Sequence, residues 1–265
     1  MALEVDATTS CTNDTLDEDR NEIEKNNGIL LWTKLESLSI SKKKLLVLDL
    51  NGLLIQRAHK CNKSEIPLNR RPDGVYGQRL VYRRPFLEEF LKFCLERFEV
   101  GIWSSAKESN VDGILECAFK GLRSSFLFVW DQNKCSDSGF KSLEKKCKPI
   151  FFKELKKLWQ ISAPKRGEHL FSESNTLLID DEPYKGLLNP PNTGIFPRKY
   201  DARNLNDDAL DPKRELCSYL KGLADAEDVP SYVKAHPFGQ PAIDSQHPNW
   251  DFYSLLIRRA GASLV

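Results

Sequence analysis

Lys43-Lys44-Leu45-Leu46-Val47-Leu48-Asp49-Leu50-Asn51-Gly52-Leu53-Leu54 is an apolar strand run closed by one aspartate, with an asparagine two residues later and then a glycine turn. Open α/β sheets do their chemistry at the carboxyl ends of such strands, where a loop lets a ligand approach the backbone. Asp49 is therefore the first candidate nucleophile.

Outward from this stretch the chain alternates. Residues 44–49 read as a strand and 55–79 as a polar loop with Pro67, Pro72 and Gly74. Pro85 opens a helix to about residue 97 at a favoured first-turn position, with Phe86, Phe90, Leu91 and Leu95 on one face. Residues 98–103 form a second strand ending in Ser104-Ser105, and 107–120 a helix. The segment 125–148 has two strand-like pieces around a polar turn, which suggests a small antiparallel insertion. A helix over 152–159 follows, then a buried strand over 175–179 ending in Asp180-Asp181, a turn at 189–192, a short strand over 193–196 and a helix over 213–225. This order describes an α/β fold, a doubly wound parallel sheet, Rossmann-like, whose strand ends converge on one crevice.

Four features should meet there: Asp49, Ser104, Lys148 and the pair Asp180-Asp181. A carboxylate nucleophile, a hydroxyl for an oxyanion, a lysine balancing negative charge and a carboxylate pair for a hard cation make a phosphoryl-transfer set. Singly, each has an ordinary reading. Asp49 and Ser104 suit turns or helix caps, Lys148 sits in a solvated lysine run, and acids favour helix starts. Their order and placement together argue for chemistry.

The chain of 265 residues has 40% hydrophobic content, enough for one sizeable core. Residues 1–27, acidic and poor in apolar groups, are expected to be disordered, and 28–40 to form a lead-in helix. The main domain is expected over 41–235, and 236–265 as an extension packed on it. Thirty-nine basic residues against 38 acids give a net charge of +1, so no global field favours nucleic acid. The two lysine clusters, at 42–44 and 153–157, read as ordinary surface charge. Seven scattered cysteines without Cys-x-x-Cys spacing read as reduced thiols of an intracellular protein. No apolar run approaches the ~20 residues of a membrane span. The acidic run from Asp14 to Glu24 is unlike a secretory or mitochondrial leader, so nucleus or cytoplasm is expected rather than mitochondrion.

The motifs resemble the haloacid dehalogenase superfamily, in particular its RNA polymerase II C-terminal-domain phosphatase branch, over about residues 41–235. Leu48-Asp49-Leu50-Asn51-Gly52-Leu53-Leu54 stands where that branch has Asp-Leu-Asp-Glu-Thr-Leu. Arg84-Pro85-Phe86-Leu87-Glu88-Glu89-Phe90-Leu91 is similar to its Arg-Pro helix and Ile102-Trp103-Ser104-Ser105-Ala106 to its second motif. Cys147-Lys148-Pro149 is similar to its lysine motif, and Ile179-Asp180-Asp181-Glu182-Pro183 to its metal motif.

The resemblance implies a phosphatase acting on phosphoserine or phosphothreonine in a protein or peptide segment. Asp49 would form an aspartyl-phosphate. Ser104 and Lys148 would hold phosphate oxygens, the lysine also the nucleophile. Asp49, Asp180, Asp181 and the Asn51 carbonyl would ligate magnesium, and 125–148 would be a substrate-reading insertion over the site. Two positions depart from the pattern. Asn51 replaces the acid/base aspartate, a role worth about 10²–10⁴ in rate. Leu53 replaces a phosphate-positioning threonine. A slow enzyme is therefore one expectation, with His59 or the 56–79 loop as a substitute proton source. The other is an inactive, protein-binding member, similar to the phosphatase-like translocase subunit of the mitochondrial inner membrane.

Overall fold

A computed structural model describes residues 43–144, 146–161 and 170–262. The expected tail over 1–27 and lead-in helix over 28–40 lie outside them.

The opening stretch forms β1 (Leu45–Leu48), buried on both faces as expected of a central parallel strand. The chain continues through β2 (Ile55–His59), β3 (Gly74–Tyr76), β4 (Arg79–Arg83), α1 (Leu87–Arg97), β5 (Glu99–Trp103), α2 (Glu108–Ala118) and β6 (Val129–Trp130). Then come β7 (Ser136–Lys141), β8 (Pro149–Phe152), α3 (Leu155–Ile161), β9 (Thr176–Ile179), β10 (Gly194–Ile195), α4 (Glu215–Asp225), α5 (Val229–Ala235) and α6 (Trp250–Ala262).

The main sheet has the order β10-β9-β1-β5-β6 and is parallel throughout. The chain leaves β1 in one direction to β5 and β6, then returns to β9 and β10 on the other side. Right-handed crossovers in two directions place their connections on opposite faces, which makes the sheet doubly wound with its switch point at β1.

Four expectations need correction. The segment 55–79 is not a loop: β2, β4 and β3 form a three-stranded antiparallel sheet. The prolines that suggested a loop sit in the connection between β2 and β3. That connection crosses a small core of Ala58, Tyr82, Tyr200 and Ala202. In the 125–148 insertion, the first strand-like piece is β6, the edge of the main sheet. The antiparallel ribbon is instead β7 with β8. Residues 149–152, placed partly in a helix by sequence, are therefore strand. The helix at Pro85 begins two residues later, at Leu87, with Phe86 preceding it at φ 62°.

The C-terminal helix α6 buries Tyr253 and Leu256 against Ile150 and Phe152 of β8 and Tyr184. These aromatic and aliphatic contacts pin the ribbon strand that carries a site lysine.

Candidate active site

The site residues stand one position past three neighbouring strand ends, and backbone hydrogen bonds fix each. The Asp49 N–H donates to the Ile179 carbonyl at 3.0 Å, the Ser104 N–H to the Trp130 carbonyl at 2.8 Å, and the Asp180 N–H to the Ile195 carbonyl at 3.3 Å. Leu48 pairs with both Ile102 and Ile179, so Asp180 lies directly beside Asp49. Asp49, Ser104, Asp180 and Asp181 are all buried. The crevice expected from strand order thus gathers three of the four predicted features.

The fourth, Lys148, goes elsewhere. Its ammonium pairs with the Glu182 carboxylate and lies 5.8 Å from the Tyr184 ring centroid. Lys153 takes the place at the nucleophile: its Nζ donates to Asp49 Oδ1 at 2.5 Å and to Asp180 Oδ2 at 2.6 Å, with no exposed side-chain surface. The sequence contained the signal. Ile150-Phe151-Phe152 is an apolar run closed by a charged residue, as β1 is by Asp49.

Lys185 was missed altogether. It sits in the turn Pro183–Gly186, 4% exposed, with Nζ 3.4 Å from both Asp49 Oδ1 and Asp180 Oδ1 and 3.6 Å from Glu182 Oε2. Nothing in Glu182-Pro183-Tyr184-Lys185-Gly186 distinguishes it from a solvated lysine.

Electrostatics follow from this packing. Burial alone would raise the Asp49 carboxyl, but the Lys153 and Lys185 ammoniums reverse that and hold it below its usual value. Burial would discharge Lys185, and the surrounding carboxylates, Asp180 foremost, instead hold it charged. Glu182 is brought down to about 2, its own burial outweighed by Lys185 and Lys148. Asp181 goes the other way, pushed up to about 7 by burial and by Asp180 and Asp49 against the pull of Lys185.

Asp181 also has unmet hydrogen-bonding capacity. Both its carboxylate oxygens, and Asp49 Oδ2, are buried without a hydrogen-bond partner. The only cation paired with Asp181 among the described residues is Lys199, 3.7 Å from Oδ2. Carboxylate atoms of Asp49, Asp180 and Asp181 lie within 4.8 Å of one another. The orphaned, buried Asp181 oxygens, of hard-donor type, fit a divalent cation. Asp180 is less available, since its Oδ2 holds Lys153 and its Oδ1 accepts the Glu182 N–H at 2.9 Å. Gly52 makes the arrangement possible: at φ +111°, a Cβ there would come 2.1 Å from Asp181 Oδ2.

Asn51 is turned to structure. Its Oδ1 accepts the Arg57 N–H at 2.8 Å, stitching the loop after Asp49 to β2. His59 cannot stand in for it. Ile55 bridges Asn51, whereas His59 pairs with Arg79 four residues further along β2, about 13 Å away at strand rise. The loop is tied from the other side by Arg84, which donates to the Leu53 carbonyl at 3.1 Å and grips Asp207 by two bonds of 2.7 and 3.0 Å. Ser104 Oγ accepts the Ala106 N–H at 3.2 Å, leaving its own proton to donate.

Comparison with known proteins gives the family of the chain. The chain is 27% identical over 202 residues to an uncharacterized FCP1 homology domain-containing protein of Schizosaccharomyces pombe, covering 74% of this chain and 78% of that one. It is 24% identical over 225 residues to the human ubiquitin-like domain-containing CTD phosphatase 1, covering 80% of this chain and 55% of that protein. The chain thus spans about half the length of that relative. The solved structure of the fission yeast RNA polymerase II CTD phosphatase Fcp1 aligns with a TM-score of 0.44 at 17% identity, over 88% of this chain and 66% of that one. A family model described as NLI interacting factor-like phosphatase matches residues 44–230, from the strand that delivers Asp49 through every charged group around it. The chain belongs to the NLI interacting factor-like phosphatase family.

Proposed function

We propose that this chain is a slow, magnesium-dependent phosphatase of phosphorylated serine or threonine in protein segments, working through a phosphorylated Asp49. The observation that carries the proposal is the asymmetry of the Asp49 carboxylate. Oδ1 is held by Lys153, while Oδ2 is buried at the strand end with no hydrogen-bond partner. An ionised, oriented carboxylate oxygen with no competing donor is a prepared nucleophile.

Oδ2 would bond to phosphorus as the ester P–O bond breaks, leaving an aspartyl-phosphate and an alkoxide that takes its proton from water. Ser104, with its free hydroxyl proton, would hold a phosphoryl oxygen. Asp181 and the Asn51 backbone carbonyl would hold magnesium, which when bound supplies charge neutralisation at the phosphoryl oxygens, leaving Asp49 Oδ2 for phosphorus. Water would then release phosphate and restore the Asp49 carboxylate.

Both half-reactions want a proton transferred, and the Asn51 amide has none to give. Alkyl phosphates with poor leaving groups should therefore suffer most, and aryl phosphates least. A nuclear or cytoplasmic site of action is consistent with such substrates. Among the described residues no helix is long and apolar enough to cross a membrane.

Turnover of an aryl phosphate and of a phosphoserine peptide, measured in magnesium for wild type, Asp49→Asn and Asn51→Asp, tests the proposal. Asp49→Asn is expected to abolish both activities. Asn51→Asp is expected to raise phosphoserine turnover by about 10²–10⁴, and aryl phosphate turnover by less. Wild type no faster than Asp49→Asn on either substrate, with activity appearing only in Asn51→Asp, would refute it and leave a binding fold.

A further inference from the structure

Two buried lysines converge on one oxygen of Asp49, and only one of them, Lys153, does so at hydrogen-bond length to two carboxylates. The other, Lys185, is joined to it through the backbone: the Lys153 N–H donates to the Lys185 carbonyl at 2.8 Å. The turn and β8 are thereby locked so that both ammoniums face Asp49 Oδ1, at 2.5 and 3.4 Å, while Oδ2 receives neither. Burying an ammonium forfeits its hydration, a loss that well-placed carboxylates must offset.

Resting on the aspartyl-phosphate reading above, we propose that Lys185 is a second positioning lysine of the site. With Lys153 it fixes Oδ1 and so assigns attack to Oδ2, and it stays on Oδ1 when that atom becomes the acyl oxygen of the phosphorylated aspartate. The competing role is charge balance for Glu182, 3.6 Å away. Glu182 has two other partners, Lys148 and the Tyr184 hydroxyl, so the two roles can be separated by mutation.

Beryllium trifluoride, which mimics a phosphoryl group on a carboxylate oxygen, gives a readout that needs no turnover. Its affinity is measured by ¹⁹F NMR in magnesium, alongside thermal midpoints. Wild type is expected to bind and Asp49→Asn not to. Lys185→Met and the double variant Lys185→Met/Glu182→Gln are both expected to bind about tenfold more weakly or worse, even though the second has its charge balance restored. Lys185→Arg keeps the charge but changes the geometry, and is expected to lose about threefold to tenfold.

A double variant, or Lys185→Arg where neither methionine variant folds, that binds within about twofold of wild type overturns the positioning role while the phosphatase reading stands. Wild type that binds the mimic on Asp49 without turning over substrate refutes the turnover and leaves this test of Lys185 intact. Wild type that binds no mimic refutes both.

Discussion

Replacing Lys153 by methionine removes the ammonium that two buried carboxylates share. The side chain has no exposed surface, and its contacts to Asp49 Oδ1 and Asp180 Oδ2 are 2.5 and 2.6 Å. Breaking a buried pair from one side leaves the partner charge uncompensated, which typically destabilises by about 3–5 kcal/mol. Lys185 remains 3.4 Å from both carboxylates and offsets part of this, which places the expectation near the lower figure. For a domain of this size, about 3 kcal/mol corresponds to a fall of roughly 6–12 °C in Tm. Lys148→Met is the matched control. Its side chain is 31% exposed and pairs with Glu182, so about 1 kcal/mol or less is expected. Adding Asp180→Asn to Lys153→Met should return about 1–2 kcal/mol by removing one of the stranded charges. Urea denaturation with Cm and m values for the four proteins measures all of this. Equal losses for Lys153→Met and Lys148→Met would refute the assignment of the central lysine.

Gly52→Ala forces a Cβ onto the Asp181 carboxylate at a backbone angle that side chains avoid, so it should destabilise by about 1–3 kcal/mol and weaken magnesium binding, as titration calorimetry would read. Arg84→Met strands Asp207, whose side chain is 11% exposed, and frees the Leu53 carbonyl. A loss of about 3–5 kcal/mol in urea is expected, with faster amide exchange at Leu54 and Ile55. Magnesium at a hundred times its Kd should stabilise the wild type by about 2.7 kcal/mol in a thermal melt, and Asp181→Asn should remove that gain.

The parallel sheet and three of its chemical strand ends were legible because β1, β5 and β9 are short, predominantly apolar runs closed by a polar residue, a pattern that burial on both faces imposes. The three-stranded sheet of β2, β3 and β4 was not. Its strands carry intermediate burial and charged residues such as Arg57, Arg79 and Arg83, so the alternation that marks a half-buried strand is blurred. The lysine that contacts Asp49 is Lys153, five residues after the Lys148 that the resemblance implies. Cys147-Lys148-Pro149 looked like a motif, whereas the structural rule that located Asp49, a charged residue closing a buried strand, selects Lys153 after Phe152. Lys185 lay beyond sequence reading, because its burial results from a turn folding back over Asp49 and Asp180.

The most direct test of the account is covalent. Wild type and Asp49→Asn are incubated in magnesium with a phosphorus-labelled aryl phosphate, quenched in acid and mapped by peptide. Label that hydroxylamine releases is expected, confined to the peptide containing Asp49 and absent from Asp49→Asn. Label on another residue, or turnover that survives in Asp49→Asn, would contradict it.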